Sequence, residues 1–166
     1  MDVAQATADL KSSDAAVRAA AAEQLAHLED GAQEAGPALA VATADADESV
    51  REWATGALES LGPPAAGDTA ELIKLLSDTR PDVAYWAATL LGRLGASAGE
   101  AKTIAALICA LDSHPEAAVR ERAAWALGQI GAGATAALPA LQVAGGTTSP
   151  RLARLAKQAI EQISAK

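Results

Sequence analysis

The sequence predicts an all-α fold, a solenoid of about five stacked helix pairs, and three observations predict it. Half of the chain is hydrophobic (51%) while only 2% is aromatic and Phe is absent, so the apolar content is mostly Ala and Leu. Ala is the strongest helix former because it loses no side-chain entropy and hides no polar group. A motif recurs at intervals of 33, 33, 36 and 33 residues, the spacing of helical-hairpin repeats. Within each copy the apolar residues keep a helical period, and strand-favouring residues are too scattered for a sheet.

One repeat domain spanning 1–166 is expected, with repeats at approximately 2–31, 32–64, 65–97, 98–133 and 134–166. Each repeat is a helix, a turn, a second helix and a short loop. Val17-Arg18, Val50-Arg51, Val83, Val119-Arg120 and Leu152 anchor the second helices. Four residues on stand Ala21, Ala54, Ala87, Ala123 and Ala156, and eight on stand Leu25, Leu58, Leu91, Leu127 and Ile160. Eleven on come Leu28, Leu61, Leu94, Ile130 and Ile163. These positions fall on one side of a helix of about 3.6 residues per turn, forming a stripe to be buried.

The ends of the helices are marked as well. Asp14 and Asp47, three residues before their anchors, are expected N-caps that accept from free backbone N–H groups. Pro81 and Ser149-Pro150 mark two further starts, and Ser113 with Glu116 reads as a capping box with Pro115 in the first turn. Gly62, Gly95 and Gly131, and slightly later Gly31, are expected to end helices in a left-handed conformation. First helices are read at Val3 to Leu10, Pro37 to Ala42, Thr69 to Leu76, Glu100 to Leu111 and Ala136 to Val143. Asp68 with Glu71 forms another capping box. Residues 2–11 and 151–166 are polar enough to serve as caps of the stack, so the chain is read as a complete small solenoid.

Residues 1–50 hold ten acids against Lys11 and Arg18 and carry the whole net charge of −8. The remainder is balanced, and it ends in Arg151, Arg154, Lys157 and Lys166 against only Glu161. An acidic end confers solubility; in an elongated chain it also steers a basic partner. A monomer or a weak, salt-suppressed head-to-tail association is expected. Nucleic-acid binding is not, because it depends on neutralising phosphates. Cys109 is the single cysteine, which excludes an internal disulfide. Met1-Asp2-Val3-Ala4-Gln5 has neither the basic nor the apolar region of a signal peptide. The longest apolar run, Ile104 to Leu111, is far short of the about 20 residues that span a bilayer. No membrane association is expected, and the expected compartment is the cytoplasm.

The segment Val119-Arg120-Glu121-Arg122-Ala123-Ala124-Trp125-Ala126-Leu127-Gly128-Gln129-Ile130-Gly131 resembles the second helix of the HEAT-like repeats found in phycobilisome lyases and many bacterial proteins. Val83 to Gly95 repeats it with Leu91-Gly92 and Leu94-Gly95, and the resemblance covers nearly the whole chain. It departs from the pattern at Ala84 and Ala153, where Arg is expected, and at Ser164, where Gly would end the helix. The resemblance implies a right-handed α-α superhelix, a HEAT-like, armadillo-like solenoid whose second helices line the inner, concave surface. It is specific for the fold and nearly silent on function, because one solenoid serves many roles.

No catalytic set, metal site or cofactor is expected. Cys109 and His114 are the only near pair for nucleophilic catalysis, and they read as an inert thiol and a turn or cap histidine. One Cys and two separated His fall short of a zinc site. Gly131, Gly133, Gly145 and Gly146 lack the following Lys and Ser/Thr of a phosphate loop.

The aromatic residues are the better lead. Trp53 and Trp86 stand three residues after their anchors, Tyr85 precedes Trp86, and Trp125 stands six after its own. At about 100° per residue, Trp53 and Trp86 border the stripe while Tyr85 and Trp125 point away from it. On the concave surface that the resemblance implies, Trp53, Tyr85, Trp86 and Trp125 would lie together with Arg93 and Arg122. That is a candidate binding cluster, since Trp, Tyr and Arg dominate interface energies. The competing role for the tryptophans is to fill gaps between Ala-rich helices. The expected function is a protein- or peptide-binding scaffold rather than an enzyme. The alternatives are a bilin lyase-like or other HEAT-fold enzyme subunit, as the resemblance implies, and a structural or designed repeat module without its own ligand. The irregular insertions and uneven caps speak against the last.

Overall fold

Ala and Leu at helical spacing, punctuated by turn residues, produce ten α-helices in five pairs and no strand among the described residues. A computed structural model describes residues 2–165, the side chains of Glu29 and Asp30 excepted. Met1, and Lys166 of the terminal basic group, lie outside the described residues. The pairs are α1 (Val3–Asp9) with α2 (Ala15–His27), α3 (Gly36–Ala42) with α4 (Glu48–Ser60), and α5 (Thr69–Leu75) with α6 (Pro81–Arg93). The last two are α7 (Ala101–Ser113) with α8 (Ala117–Ile130), and α9 (Leu138–Gly145) with α10 (Pro150–Ser164). The connections expected to be loops contain short 3-10 helices, Glu29–Ala35, Ala66–Asp68, Gly95–Ala98 and Gly131–Ala137. Ala32, Ala98 and Ala134, each fifteen residues past its anchor, are fully buried there.

The chain forms two compact units, residues 1–71 and 72–166. In the first, α2 packs on α4, and α1 and α3 cover them; Leu25, Leu39, Val50, Leu58 and Leu61 are buried between these helices. In the second, α8 lies between α6 and α10 and is covered by α7, while α9 packs on α10. Its core includes Leu72, Val83, Leu90, Leu91, Leu107, Val119, Leu127, Ile130 and Leu141. The anchor stripe is buried almost throughout. The first copy departs from it: Val17 and Leu28, near the two ends of α2, are 39% and 42% exposed.

The turn within each of the first four pairs follows one plan. The residue five before the anchor accepts from the backbone N–H two positions on: Ser12 Oγ from Asp14, Asp45 Oδ1 from Asp47, Asp78 Oδ1 from Arg80, and His114 Nδ1 from Glu116. The Arg of the Val-Arg motif then clamps the same turn. Arg18 donates to the Ser12 and Ser13 carbonyls, Arg51 to those of Asp45 and Ala46, and Arg120 to those of His114 and Pro115. This gives the motif a physical meaning, a guanidinium fork that satisfies orphan carbonyls between two helices.

Asp14 and Asp47 cap α2 and α4 as expected, accepting from Ala16 and Val50. The Ser113–Glu116 box does not form. Ser113 is the last residue of α7 and donates to the Cys109 carbonyl at 2.7 Å, and Glu116 makes no side-chain cap. Asp68 Oδ2 is buried without a hydrogen-bond partner; burial, then the charge of Glu34, raises its pKa. Gly95 and Gly131 take φ of +54° and +69°, as expected of helix-ending glycines. Gly62 and Gly31 do not: α4 ends through an extended Leu61, and Gly31 continues a 3-10 helix.

Candidate binding cleft

Small residues set the spacing of the second helices in the second unit. A Cβ at Gly92 of α6 would strike the Trp125 indole and come within 3.0 Å of Ala126 Cα on α8. One at Gly128 of α8 would come within 3.0 Å of Ala159 Cα on α10. The helices therefore approach at glycine, and the Trp125 ring lies on the surface that Gly92 leaves open. Trp125 is half-buried, although the helical period alone points it away from the core. The reason is that α8 has helices on both flanks as well as beneath, so Ala124, Ala126 and Gly128 are buried outside the anchor stripe.

Around Trp125 the other side chains assemble. The Arg122 guanidinium lies 4.9 Å from the Trp125 ring centre and 4.5 Å from that of Tyr85, and it donates to the Tyr85 hydroxyl. Tyr85 meets Trp86 edge to face, with ring centres 5.8 Å apart at 89°. The Arg93 guanidinium lies 5.8 Å from the Trp86 ring centre. Burial, reinforced by the neighbouring charge of Arg122 and opposed by Tyr85, lowers the Arg93 pKa. Cations over aromatic faces are attracted by the ring quadrupole, most strongly when water is partly excluded. Five of the six residues expected to form the cluster are thus linked: Tyr85, Trp86, Arg93, Arg122 and Trp125.

Trp53 belongs to the first unit. Its described ring contact is with His27, at 5.8 Å between centres. At 37% exposure it is a more open side chain than one bordering the stripe was expected to be.

A cleft of about 130 Å³ opens beside Arg122, lined by Tyr85, Ala118, Glu121, Arg122, Trp125, Arg151, Arg154 and Leu155. Glu121 pairs with Arg151 at 3.0 Å. Glu121, Arg151, Arg154 and Leu155 were not singled out from the sequence as site residues. A signal for them exists: the lining residues stand one before, two after, three after and six after the anchors of successive copies. Tyr85, Glu121 and Arg154 share one of these positions, and Arg122 and Leu155 another.

Elsewhere, Cys109 is exposed with Sγ 3.7 Å from Ser113 Oγ, while His114 Nδ1 is occupied in its turn. Among the described residues no three His, Cys, Asp or Glu are grouped to hold a metal ion, and no helix is long and apolar enough to cross a membrane.

The sequence matches the HEAT-repeat family over residues 3–71 and 69–161. The fold is similar to the complex of CpcE and CpcF of phycocyanin lyase from Nostoc sp. PCC7120, with 27% identity over 100% of this chain and 66% of that chain and a TM-score of 0.68. It is also similar to a designed armadillo repeat protein in complex with the peptide (KR)4, at 20% identity, 98% and 82% coverage and a TM-score of 0.66. An engineered protein gives 22% identity, 97% and 78% coverage and 0.68. No curated protein matches the sequence.

Proposed function

We propose that this chain, which belongs to the HEAT-repeat family, is a binding scaffold for a protein or peptide and not an enzyme, and that its partner seats on α6, α8 and α10. The observation that carries this reading is the Arg122 guanidinium held between the Tyr85 and Trp125 rings at the edge of an open cleft. Half-buried aromatic rings and ordered arginines are the side chains that supply most binding energy at interfaces. The designed armadillo protein, whose fold is similar, is in complex with a peptide, which supports a peptide as the kind of partner.

The test is selection from a random linear peptide library against the immobilised chain. Enriched peptides are expected to lose binding to Trp125→Ala and to keep it with Trp53→Ala. Trp125→Ala is expected to cost about 2 kcal/mol in stability, because a half-buried indole is removed, so binding is compared at equal folded fraction. No enriched peptide, or equal retention by both variants, removes the reading.

A second reading, a subunit of a bilin lyase, is favoured by the likeness to CpcE and CpcF. Mixing the chain with a bilin would then shift the pigment's absorption band; an unchanged spectrum excludes it.

A further inference from the structure

We propose that the cleft takes an acidic peptide segment, with a Glu or Asp carboxylate of the partner seated on Arg122 and Arg154 and its apolar neighbour on Trp125 and Leu155. This rests on the scaffold reading and names the chemistry of the partner. The charge of the chain as a whole points the other way, and the local layout decides. Helices α6, α8 and α10 carry six bases against three acids, whereas α2 and α4 carry two against four. At physiological salt, interactions beyond about 8 Å are largely screened, so groups at the cleft govern what it holds.

Three features of the cleft fit a carboxylate. Glu121 is the only acid in its lining and is paired with Arg151, while Arg154 has no carboxylate within 4.0 Å among the described residues. Three arginines against one glutamate leave the lining with an excess of positive charge. Arg122 is held by two rings and gives one of its N–H groups to Tyr85. A guanidinium has five N–H donors in a planar fork that matches a carboxylate, and one already ordered loses little entropy on binding. Burial first, and then the charge of Arg122, lower the Arg93 pKa, and an anion at Arg122 offsets the second of these. The volume, about 130 Å³, suits one side chain of an extended segment. Trp125, Leu155 and Ala118 provide apolar lining for the residue beside it.

The test measures fluorescence anisotropy at physiological ionic strength with three labelled peptides of equal length: alternating Glu-Leu, alternating Gln-Leu, and (KR)4. A single-stranded oligothymidylate is the fourth probe. Glu-Leu is expected to bind at least about tenfold more tightly than the others, and Arg154→Gln to weaken it about tenfold, the loss of one charge-assisted contact. Arg154 is exposed, so this variant keeps the fold, and Arg154→Lys is expected to restore part of the affinity. Binding of Gln-Leu or (KR)4 that Trp125→Ala abolishes would overturn the acidic partner and leave the scaffold reading standing. Tighter binding of the oligonucleotide, or Glu-Leu affinity indifferent to Arg154→Gln, overturns it as well. Sedimentation of the chain alone adds one more outcome: a dimer dissolved by Arg154→Gln would assign the cleft to a second copy and overturn the peptide. If no probe binds and the library also yields nothing, both readings fall together.

Discussion

The two units are made of the same hairpin, and the second adds close approaches at glycine to its polar links between second helices. In the first, consecutive second helices are tied across repeats by a polar link: Arg18 of α2 grips Asp45, just before α4, through two contacts of 2.7 and 2.8 Å. In the second, α6, α8 and α10 are drawn together at Gly92 and Gly128, where no side chain separates the backbones. The outward positions differ in the same way. Those that carry Tyr85, Arg122, Trp125 and Arg154 in the second unit hold Ala19, Ala20 and Glu23 in the first copy of the first unit and Glu52, Trp53 and Gly56 in its second copy. The buried stripe is common to both. The comparison teaches that repeat positions divide into a set that maintains the fold and a set that is open to binding.

The largest effect is expected at the glycine joints. Gly128→Ala places a Cβ against the backbone of Ala159 and is expected to destabilise by about 2 kcal/mol through overpacking. Gly56→Ala in α4 meets nothing within 4 Å and is expected to stabilise by about 0.5–1 kcal/mol, because Gly in a helix interior carries an entropic cost. Thermal unfolding measures both, and one shared transition is what a single repeat domain implies. Two changes of equal sign would break the contrast.

A smaller effect separates two buried threonines. Thr43 of the first unit donates to the Ala40 carbonyl at 2.7 Å, whereas the hydroxyl of Thr103 on α7 is buried without a partner. Thr103→Val is expected to stabilise by about 1 kcal/mol by removing an unsatisfied group, and Thr43→Val to give no gain. Chemical denaturation of the two variants compares them directly.

The subtlest test is pH. The hydrogen bonds from Arg18 hold the Asp45 carboxyl below its ordinary value of 3.8. That link therefore contributes stability above the ordinary value, and the contribution is lost as pH falls through the lower folded one. Asp68 has the opposite sign. Its raised pKa, from burial and Glu34, gives a contribution that is present below 3.8 and lost as pH rises through the folded value. Asp68→Asn is thus expected to raise the denaturation midpoint at neutral pH, and Asp45→Asn to lower it there. If both move the same way, the polar link of the first unit is misassigned.

The stripe and the helix pairs were legible in the sequence because burial against a neighbouring hairpin leaves a period that survives in Ala, Leu, Val and Ile. The five linked residues of the cluster were legible because aromatics are so few. What escaped depends on packing across helices. Trp125 was expected to point outward because one helix in isolation has one buried face, whereas α8 has three neighbours. Arg151 and Arg154 looked like a basic terminus until α10 was placed beside α8. The Ser113 box failed because α7 runs on to Ser113, so the hydroxyl serves the end of one helix rather than the start of the next.

The corner shared by the first four hairpins has a wider consequence. Ser12, Asp45, Asp78 and His114 make the same bond with a neutral hydroxyl, two carboxylates and an imidazole. The bend asks only for a lone pair at the right reach. The charge at a corner can therefore differ from one repeat to the next while the hairpin that it closes keeps its shape.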